Sequence, residues 1–148
     1  NLANNCLNDF SVENQKFQNL LELDLSNNIF MHEFKVESNS KIKILNLNNN
    51  FNLIKTNPFK NLFFLNDLYF KNLKENLVHK FKIENINTIK NIEMDNINLL
   101  KPRWNKFFEN NKNVNKLLLT NCKINMSIIN YHYLKEVDFS SSNIYWSS

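Results

Sequence analysis

A single spacing of apolar residues recurs along the whole chain and constrains its fold more than any other feature. In its first full copy, Leu20, Leu23 and Leu25 are followed by Asn28 and Phe30, which gives the pattern L-x-x-L-x-L-x-x-N-x-L. The apolar part of this frame starts again at Ile42, Leu65, Ile89, Val114 and Leu134. Side chains two residues apart in a strand point the same way, so each copy predicts a short strand with one apolar face. One copy cannot bury that face alone, and the copies must therefore stack.

The repeat starts also predict the domain organisation. They lie 22, 23, 24, 25 and 20 residues apart, so residues 1–148 are predicted to form one repeat array. Strands are expected near residues 23–25, 45–47, 68–70, 92–94, 117–119 and 137–139. Apolar residues three positions before a start predict a second core layer at Phe17, Leu62, Ile86 and Tyr131, which Asn39 and Asn111 interrupt.

The two ends of the chain fit the same frame. Leu2, Asn5 and Leu7 match the tail of an earlier copy, and the chain has no initiator Met. We therefore expect a piece of a longer solenoid, whose apolar ends would make it unstable in isolation.

Two columns of residues follow the strands. The first consists of Asn5, Asn28, Asn50, Leu73, Ile97, Cys122 and Ser142, and its Asn side chains are expected to bond backbone groups left unpaired in each turn. Leu73 and Ile97 cannot do this, so the array should be least regular there. The residues just before are Asn4, Asn27, Asn49, Asn72, Asn96, Asn121 and Ser141. Because the chain has no Gly, these residues are expected to take the positive φ of each corner.

Two segments between the strands carry structural signals. Residues 57–65 hold F-x-x-L-x-x-L after Pro58, which predicts a compact return with one helical turn. Pro102 can begin a helix in which Trp104, Phe107 and Phe108 share one face. Packing against the core is the expected use of these aromatic side chains, and a docking surface is the alternative.

The chain resembles leucine-rich repeat proteins. Its unequal repeats, with N-x-x-L from Asn50 leading to the F-x-x-L-x-x-L run from Phe59, are similar to those of Toll-like receptor ectodomains and their invertebrate relatives. The resemblance implies an α/β solenoid, a curved horseshoe with a parallel sheet on the concave face and irregular or short helical returns on the convex face. It also implies binding of proteins or other ligands through the concave face or its rims. Leu73 and Ile97 depart from the family pattern, and no cysteine-rich cap is visible.

Catalysis is poorly supported by the sequence. Without Gly there is no phosphate-binding loop, nucleophile elbow or dinucleotide fingerprint. His32, His79 and His132 fall at different positions of the repeat, so they predict no shared site or metal. Cys6 and Cys122 are expected to be buried free thiols. We therefore expect no enzymatic activity and no cofactor.

Outward side chains on the strands are the residues free to meet a partner. The candidate binding residues are Asp24, Asn46, Tyr69, Lys71, Glu93, Asp95, Leu118 and Asp138. The outward positions hold seven acidic and five basic residues, a net charge of −2, although the whole chain has a net charge of +4. A nucleic-acid reader would carry a basic stripe there, so a nucleic-acid partner is not expected. Tyr69 and Leu118 are the best candidates for the centre of a protein contact.

The predicted function is non-enzymatic recognition of a protein or other ligand by the ectodomain of a membrane receptor or by a secreted, extracellular protein. The alternatives are an intracellular, cytoplasmic scaffold or adaptor, an enzyme with its catalytic domain elsewhere, and an inert stretch whose binding site lies in other repeats. The sequon Asn125-Met126-Ser127 is a possible glycosylation site and slightly favours a glycoprotein. No segment reaches the length of a membrane span, so this stretch is not expected to contact a membrane directly.

Overall fold

The chain forms a solenoid of mostly parallel β-strands, with about five turns and little helix. A computed structural model describes residues 1–13, 16–28, 33–36, 40–53, 59, 61–73 and 86–146. Its strands, in chain order, are β1 (Asp9–Val12), β2 (Glu22–Asp24), β3 (Glu33–Val36), β4 (Ile44–Asn46), β5 (Asp67–Phe70), β6 (Asn91–Asp95), β7 (Lys116–Thr120), β8 (Lys123–Asn125), β9 (Glu136–Asp138) and β10 (Asn143–Tyr145).

Six of these strands form one long sheet in the order β2-β4-β5-β6-β7-β9, and every neighbouring pair is parallel. The register joins equivalent positions of the repeat, so that Leu45 lies beside Leu68 and Ile92 beside Leu117. The inward residues Leu45, Leu68 and Ile92 have no exposed surface. The six predicted parallel strands are therefore confirmed, because the apolar frame gave both their position and their inward face.

The corner after each strand is built by the predicted column of Asn residues. Asn4, Asn27, Asn49, Asn72, Asn96, Asn121 and Ser141 have φ between 54° and 60°, which confirms the expectation. Asn tolerates this left-handed conformation better than most residues, and here it supplies the turn that Gly often makes. The corner amides also bond one another: Asn49 Nδ2 donates to Asn27 Oδ1, and Asn72 Nδ2 to Asn49 Oδ1, both at 2.7 Å.

The next column stabilises the turns from inside. The buried Asn28 Nδ2 donates to the carbonyl oxygens of Leu25 (2.8 Å) and Leu2 (3.0 Å), and its Oδ1 accepts the Leu7 N–H. Asn50 repeats the pattern with the carbonyl oxygens of Leu47 and Leu25. Each amide thus bonds backbone groups of its own turn, as predicted, and it also links that turn to the preceding one.

Leu73 and Ile97 lack the inward amide, and the turn at Ile97 forms main-chain hydrogen bonds to the next turn. Lys123 N–H donates to the Ile97 carbonyl at 3.0 Å, and Leu99 N–H donates to the Lys123 carbonyl at 2.8 Å. These main-chain hydrogen bonds join neighbouring turns at a position that has no inward Asn side chain. Leu73 is buried, and residues 74–85, which follow it, lie outside the described part.

Two further pairs of strands lie outside the long sheet, and the frame did not predict them. β1 pairs in parallel with β3, and β8 with β10, each pair shortly after a corner. Alternating apolar residues, such as Phe34 and Val36 in β3, were the sequence signal that could have predicted these strands. Helical returns were expected between the strands. The described residues contain one α-helix, α1 (Pro102–Asn110), and one 3₁₀ turn (Met126–Ile128).

Helix α1 begins at Pro102 as predicted. Trp104, Phe107 and Phe108 lie on its inward face and are all buried, with Phe107 and Phe108 rings 5.2 Å apart. The packing interpretation is therefore confirmed, and these aromatic side chains form no docking surface. The compact return before Leu65 can be followed only at Phe59 and residues 61–65, where Phe59 and Leu62 are buried, because Asn57 and Pro58 lie outside the described residues.

The predicted second core layer is correct in the middle of the array and wrong at its two ends. Leu62 and Ile86 are buried, but Phe17 and Tyr131 are exposed, because each lies in a terminal turn of the described array. The supposed interruption at Asn111 is in fact a buried polar link. Its Nδ2 donates to the carbonyl oxygens of Ile86 (2.7 Å) and Phe107 (2.8 Å), and its Oδ1 accepts the Ile89 N–H (2.9 Å).

Candidate binding surface

The outward side of the long sheet carries a straight column of residues, which we call the outer column. The strand register places side by side Asp24, Asn46, Tyr69, Glu93, Leu118 and Asp138. Parallel strands lie about 4.8 Å apart, so neighbouring side chains in this column are within contact distance. The structure thus brings together the residues that the sequence frame assigned to one outward position.

The centre of the column is an apolar patch around a neutralised carboxylate. Tyr69, Glu93 and Leu118 are each partly buried. Glu93 Oε2 lies 2.9 Å from Lys71 Nζ, and Glu93 Oε1 lies 3.6 Å from Lys116 Nζ. Lys71 therefore pairs with this carboxylate, and Lys116 also lies close to it, so a partner does not need to supply a cation.

Lys116 extends the charge network beyond the predicted residues. Its Nζ also lies 3.1 Å from Glu136 Oε1 on β9. The hydrogen bond to Glu136 is the main reason why the pKa of Lys116 is raised, and the charges of Glu136 and Glu93 add to it. The sequence pattern did not single out Lys116, although its position one strand away from Glu93, with opposite charge, was an available signal.

The surroundings of Tyr69 raise the pKa of its phenol. Burial raises the pKa of Tyr69, and the nearby carboxylates of Asp67 and Glu93 raise it further, whereas Lys116 acts in the opposite direction. A neutral phenol offers both a hydrogen-bond donor and a ring face, which suits it to the centre of a protein contact.

The ends of the column have a structural role. Asp24 Oδ1 accepts the Ser26 N–H (2.9 Å), Asn46 Oδ1 accepts the Asn48 N–H (3.1 Å) and Asp138 Oδ1 accepts the Ser140 N–H (2.8 Å). Backbone and side-chain hydrogen bonds from Ser140 hold the pKa of Asp138 below its usual value. These three side chains therefore fix the corners that follow their strands.

The other two predicted binding residues are Lys71 and Asp95. One belongs to the central patch and the other to a corner. Lys71 joins the central patch through its ion pair with Glu93. Asp95 instead accepts hydrogen bonds from Thr120 Oγ1 and Asn121 Nδ2, both at 2.8 Å, and so belongs to a corner. Beside the patch lies a cavity of about 270 Å³, lined by Asn1, Glu22, Leu23, Asp24, Ile44, Asn46 and Tyr69.

The groups considered for catalysis or metal binding do not converge in the described residues. No group of three or more His, Cys, Asp or Glu side chains that could hold a metal ion occurs among them. His132 is exposed, and His32 and His79 lie outside the described part. Cys122 is buried as expected, with its pKa raised to about 11 mainly by burial. The same expectation was wrong for Cys6, which is exposed because it lies in the first turn of the described array.

The possible glycosylation site lies at the end of β8. Asn125 is partly exposed, and its Oδ1 accepts the Ser127 N–H at 3.1 Å. Ser127 is exposed in the 3₁₀ turn that follows.

No known family model matches the sequence, no curated protein matches it, and no solved structure matches the fold. Within the described residues, no helix combines the length and the apolar character needed to cross a membrane.

Proposed function

We propose that this chain is a stretch of leucine-rich repeats that recognises a protein partner through the outer column, without catalysing a reaction. Three features support the repeat class: the recurring apolar frame, the parallel long sheet and the inward Asn28 and Asn50 amides that link successive turns. In such a solenoid the outer column would lie on the concave face of a curved horseshoe. Recognition then depends on side chains that stacking has placed in register.

The observation that carries the binding proposal is the arrangement around Glu93. Tyr69 and Leu118 flank it on adjacent strands, and Lys71 and Lys116 neutralise it. The result is a partly apolar patch whose central charge is already compensated. Its matching partner surface is an aliphatic or aromatic side chain surrounded by polar groups, since apolar and aromatic anchors dominate the centres of protein interfaces.

The proposal is tested in two steps. A photo-crosslinking phenylalanine derivative at position 69 first captures the partner, and the affinity of the purified partner is then measured for Tyr69→Ala and Leu118→Ala. Truncating a central anchor costs about 2 kcal/mol or more, so each variant should bind roughly 30-fold more weakly.

Lys106→Ala on the exposed side of α1 is the matched control and should bind like the unaltered chain. Circular dichroism must show that each variant is folded, because Leu118 lies between the buried Leu117 and Leu119. Equal affinity of all three variants would place the binding site outside the outer column.

Placement of the protein outside the cell is part of the same proposal, and the accessible sequon at Asn125 supports it. Expression through a secretory pathway should add one glycan that a glycosidase removes and that Asn125→Gln abolishes. A chain that passes through that pathway with an unmodified Asn125 would leave this part of the proposal without support.

A further inference from the structure

The edge at which the chain enters the long sheet forms a second surface, distinct from the outer column. We call this edge the entry rim and define it by the residues immediately before the strands, in the ranges 19–21, 41–43, 63–66, 87–90, 112–115 and 135. One residue of each turn forms a backbone row along it. Lys43 N–H donates to the Leu21 carbonyl, Lys90 N–H to Asn66 and Lys135 N–H to Asn115.

The entry rim concentrates basic charge. Lys43, Lys90 and Lys135 occupy every second place in the backbone row, and Lys41 and Lys112 lie nearby. All five are exposed, and none forms an ion pair with any residue that the structure describes. At the opposite edge the corner residues, such as Asn27 and Asn49, are uncharged, and the carboxylates of Asp24, Asp95 and Asp138 lie at the corners beside them. The entry rim is therefore the edge that attracts an anionic partner.

An apolar groove lies within this basic edge. It has a volume of about 670 Å³ and is lined by Leu21, Lys41, Lys43, Phe63 and Phe64. The apolar side chains are well exposed, at 45% for Leu21, 57% for Phe63 and 55% for Phe64. They come from turns on either side of the two lysines, so an inserted side chain would have apolar contacts and two ammonium groups around it.

We propose that the entry rim docks an extended acidic segment of a partner protein, which inserts one aromatic or aliphatic side chain between Leu21 and the Phe63–Phe64 pair. The segment's carboxylates would face Lys43 and Lys90. These lysines are two turns apart, or about 10 Å at the usual strand spacing, which is the length of about three residues of extended chain. The preferred segment therefore carries carboxylates three residues apart beside an apolar anchor.

The charges next to the rim favour a peptide over a nucleic acid. Each single strand of DNA carries a phosphate about every 3.4 Å along the helix axis, a much denser charge than one lysine per 10 Å can neutralise. Glu22, Asp67 and Glu136 also begin strands directly beside the rim and would repel a continuous phosphate backbone. An acidic peptide, in contrast, can carry its few carboxylates at the positions that face the lysines.

The test begins with selection of twelve-residue peptides from a random display library on the full chain. We expect the selected peptides to combine an aromatic or aliphatic residue with carboxylates three positions apart. Labelled copies are then titrated by fluorescence anisotropy with Phe63→Ser and Lys43→Glu, each of which should weaken binding at least tenfold. Binding should also weaken as salt is raised.

Matched controls carry the same substitutions away from the rim, at the exposed Phe51 and Lys123. Phe51→Ser and Lys123→Glu should change the affinity less than twofold, and Tyr69→Ala should do the same because the outer column is a separate surface. If Phe63→Ser fails to fold by circular dichroism, the exposed Lys90→Glu variant replaces it.

Three results would overturn the proposal. The first is a selection that yields no acidic peptides, and the second is unchanged affinity in the rim variants. The third is tighter binding of oligothymidylate or of phosphatidylserine vesicles than of the selected peptides, lost in the same variants, which would assign the rim to a nucleic acid or a membrane.

Discussion

Leu117 and Val137 occupy the same position of the repeat, lie side by side in the long sheet and have opposite environments. Leu117 on β7 has no exposed surface, whereas Val137 on β9 is 51% exposed. Leu117 has a turn packed on each side, but in the described residues Val137 has a packed turn on one side only. The repeat frame therefore encodes the direction of a side chain, and the neighbouring turns decide whether that side chain is buried.

The inward Asn column shows the same contrast between interior and end turns. Asn28 and Asn50 are fully buried, whereas Asn5, at the same position in the first turn, is exposed. Among the described residues, Asn5 Nδ2 donates to the Leu2 and Ala3 carbonyls, both of its own turn. Asn28 Nδ2 bonds carbonyls of two turns, so its contribution to stability should be larger.

The largest expected difference between interior and end turns concerns the apolar core. Leu45→Ala should lower the free energy of unfolding by about 2–5 kcal/mol, because it opens a cavity in a fully packed site. Val137→Ala should cost under about 1 kcal/mol, since half of that side chain already meets water. Denaturant unfolding monitored by circular dichroism measures both.

Leu21→Ala provides a control with the same chemistry at an exposed leucine and should resemble Val137→Ala. Equal losses for Leu45→Ala and Val137→Ala would mean that the last turn is covered in solution, for example by self-association.

A smaller difference is expected in the Asn column. Asn28→Ala should cost about 1–3 kcal/mol, because it removes the donor to the Leu25 and Leu2 carbonyls and leaves the Leu7 N–H without its acceptor. Asn5→Ala should stay within about 0.5 kcal/mol, as for an exposed polar residue. If chemical denaturation gives the two variants the same stability, the inward amides do not hold the turns together.

The smallest effect on stability at neutral pH is expected for the interior thiol Cys122, which acts only at alkaline pH. Its pKa in the folded chain is about 11, above the ordinary value of 9.0. Between these values the unfolded chain loses the proton that the folded chain keeps, so stability should fall as pH rises from about 9 to 11.

Cys122→Ala should remove part of this decline, whereas substitution of the exposed Cys6 should leave it unchanged. Urea denaturation midpoints at pH 7, 9, 10 and 11 report the difference. Superimposable pH profiles for Cys122→Ala and the unaltered chain would show that this thiol does not contribute.

The candidate surfaces differ in how far the sequence anticipates them. The period of the frame was enough to place Tyr69, Glu93 and Leu118 in one outward column, because pairing in register aligns equivalent positions. It could not assign Lys71 and Lys116 to Glu93, since an ion pair depends on the reach of long side chains across strands. The groove of the entry rim was not foreseen, because Phe63 and Phe64 precede the start of their repeat and are not equivalent in the frame to Leu21 and Lys43.

By itself the sequence determined those features that follow from short-range rules. The alternation of apolar residues set the inward face of each strand, the absence of Gly left Asn to take the positive φ at the corners, and Pro102 marked the start of α1. Tertiary structure alone decided that Asn111 is a buried link, that Cys6 is exposed and that strands β1, β3, β8 and β10 pair in two separate sheets. Each of these depends on which turn packs beside a residue, and burial and hydrogen bonding between turns arise only after stacking.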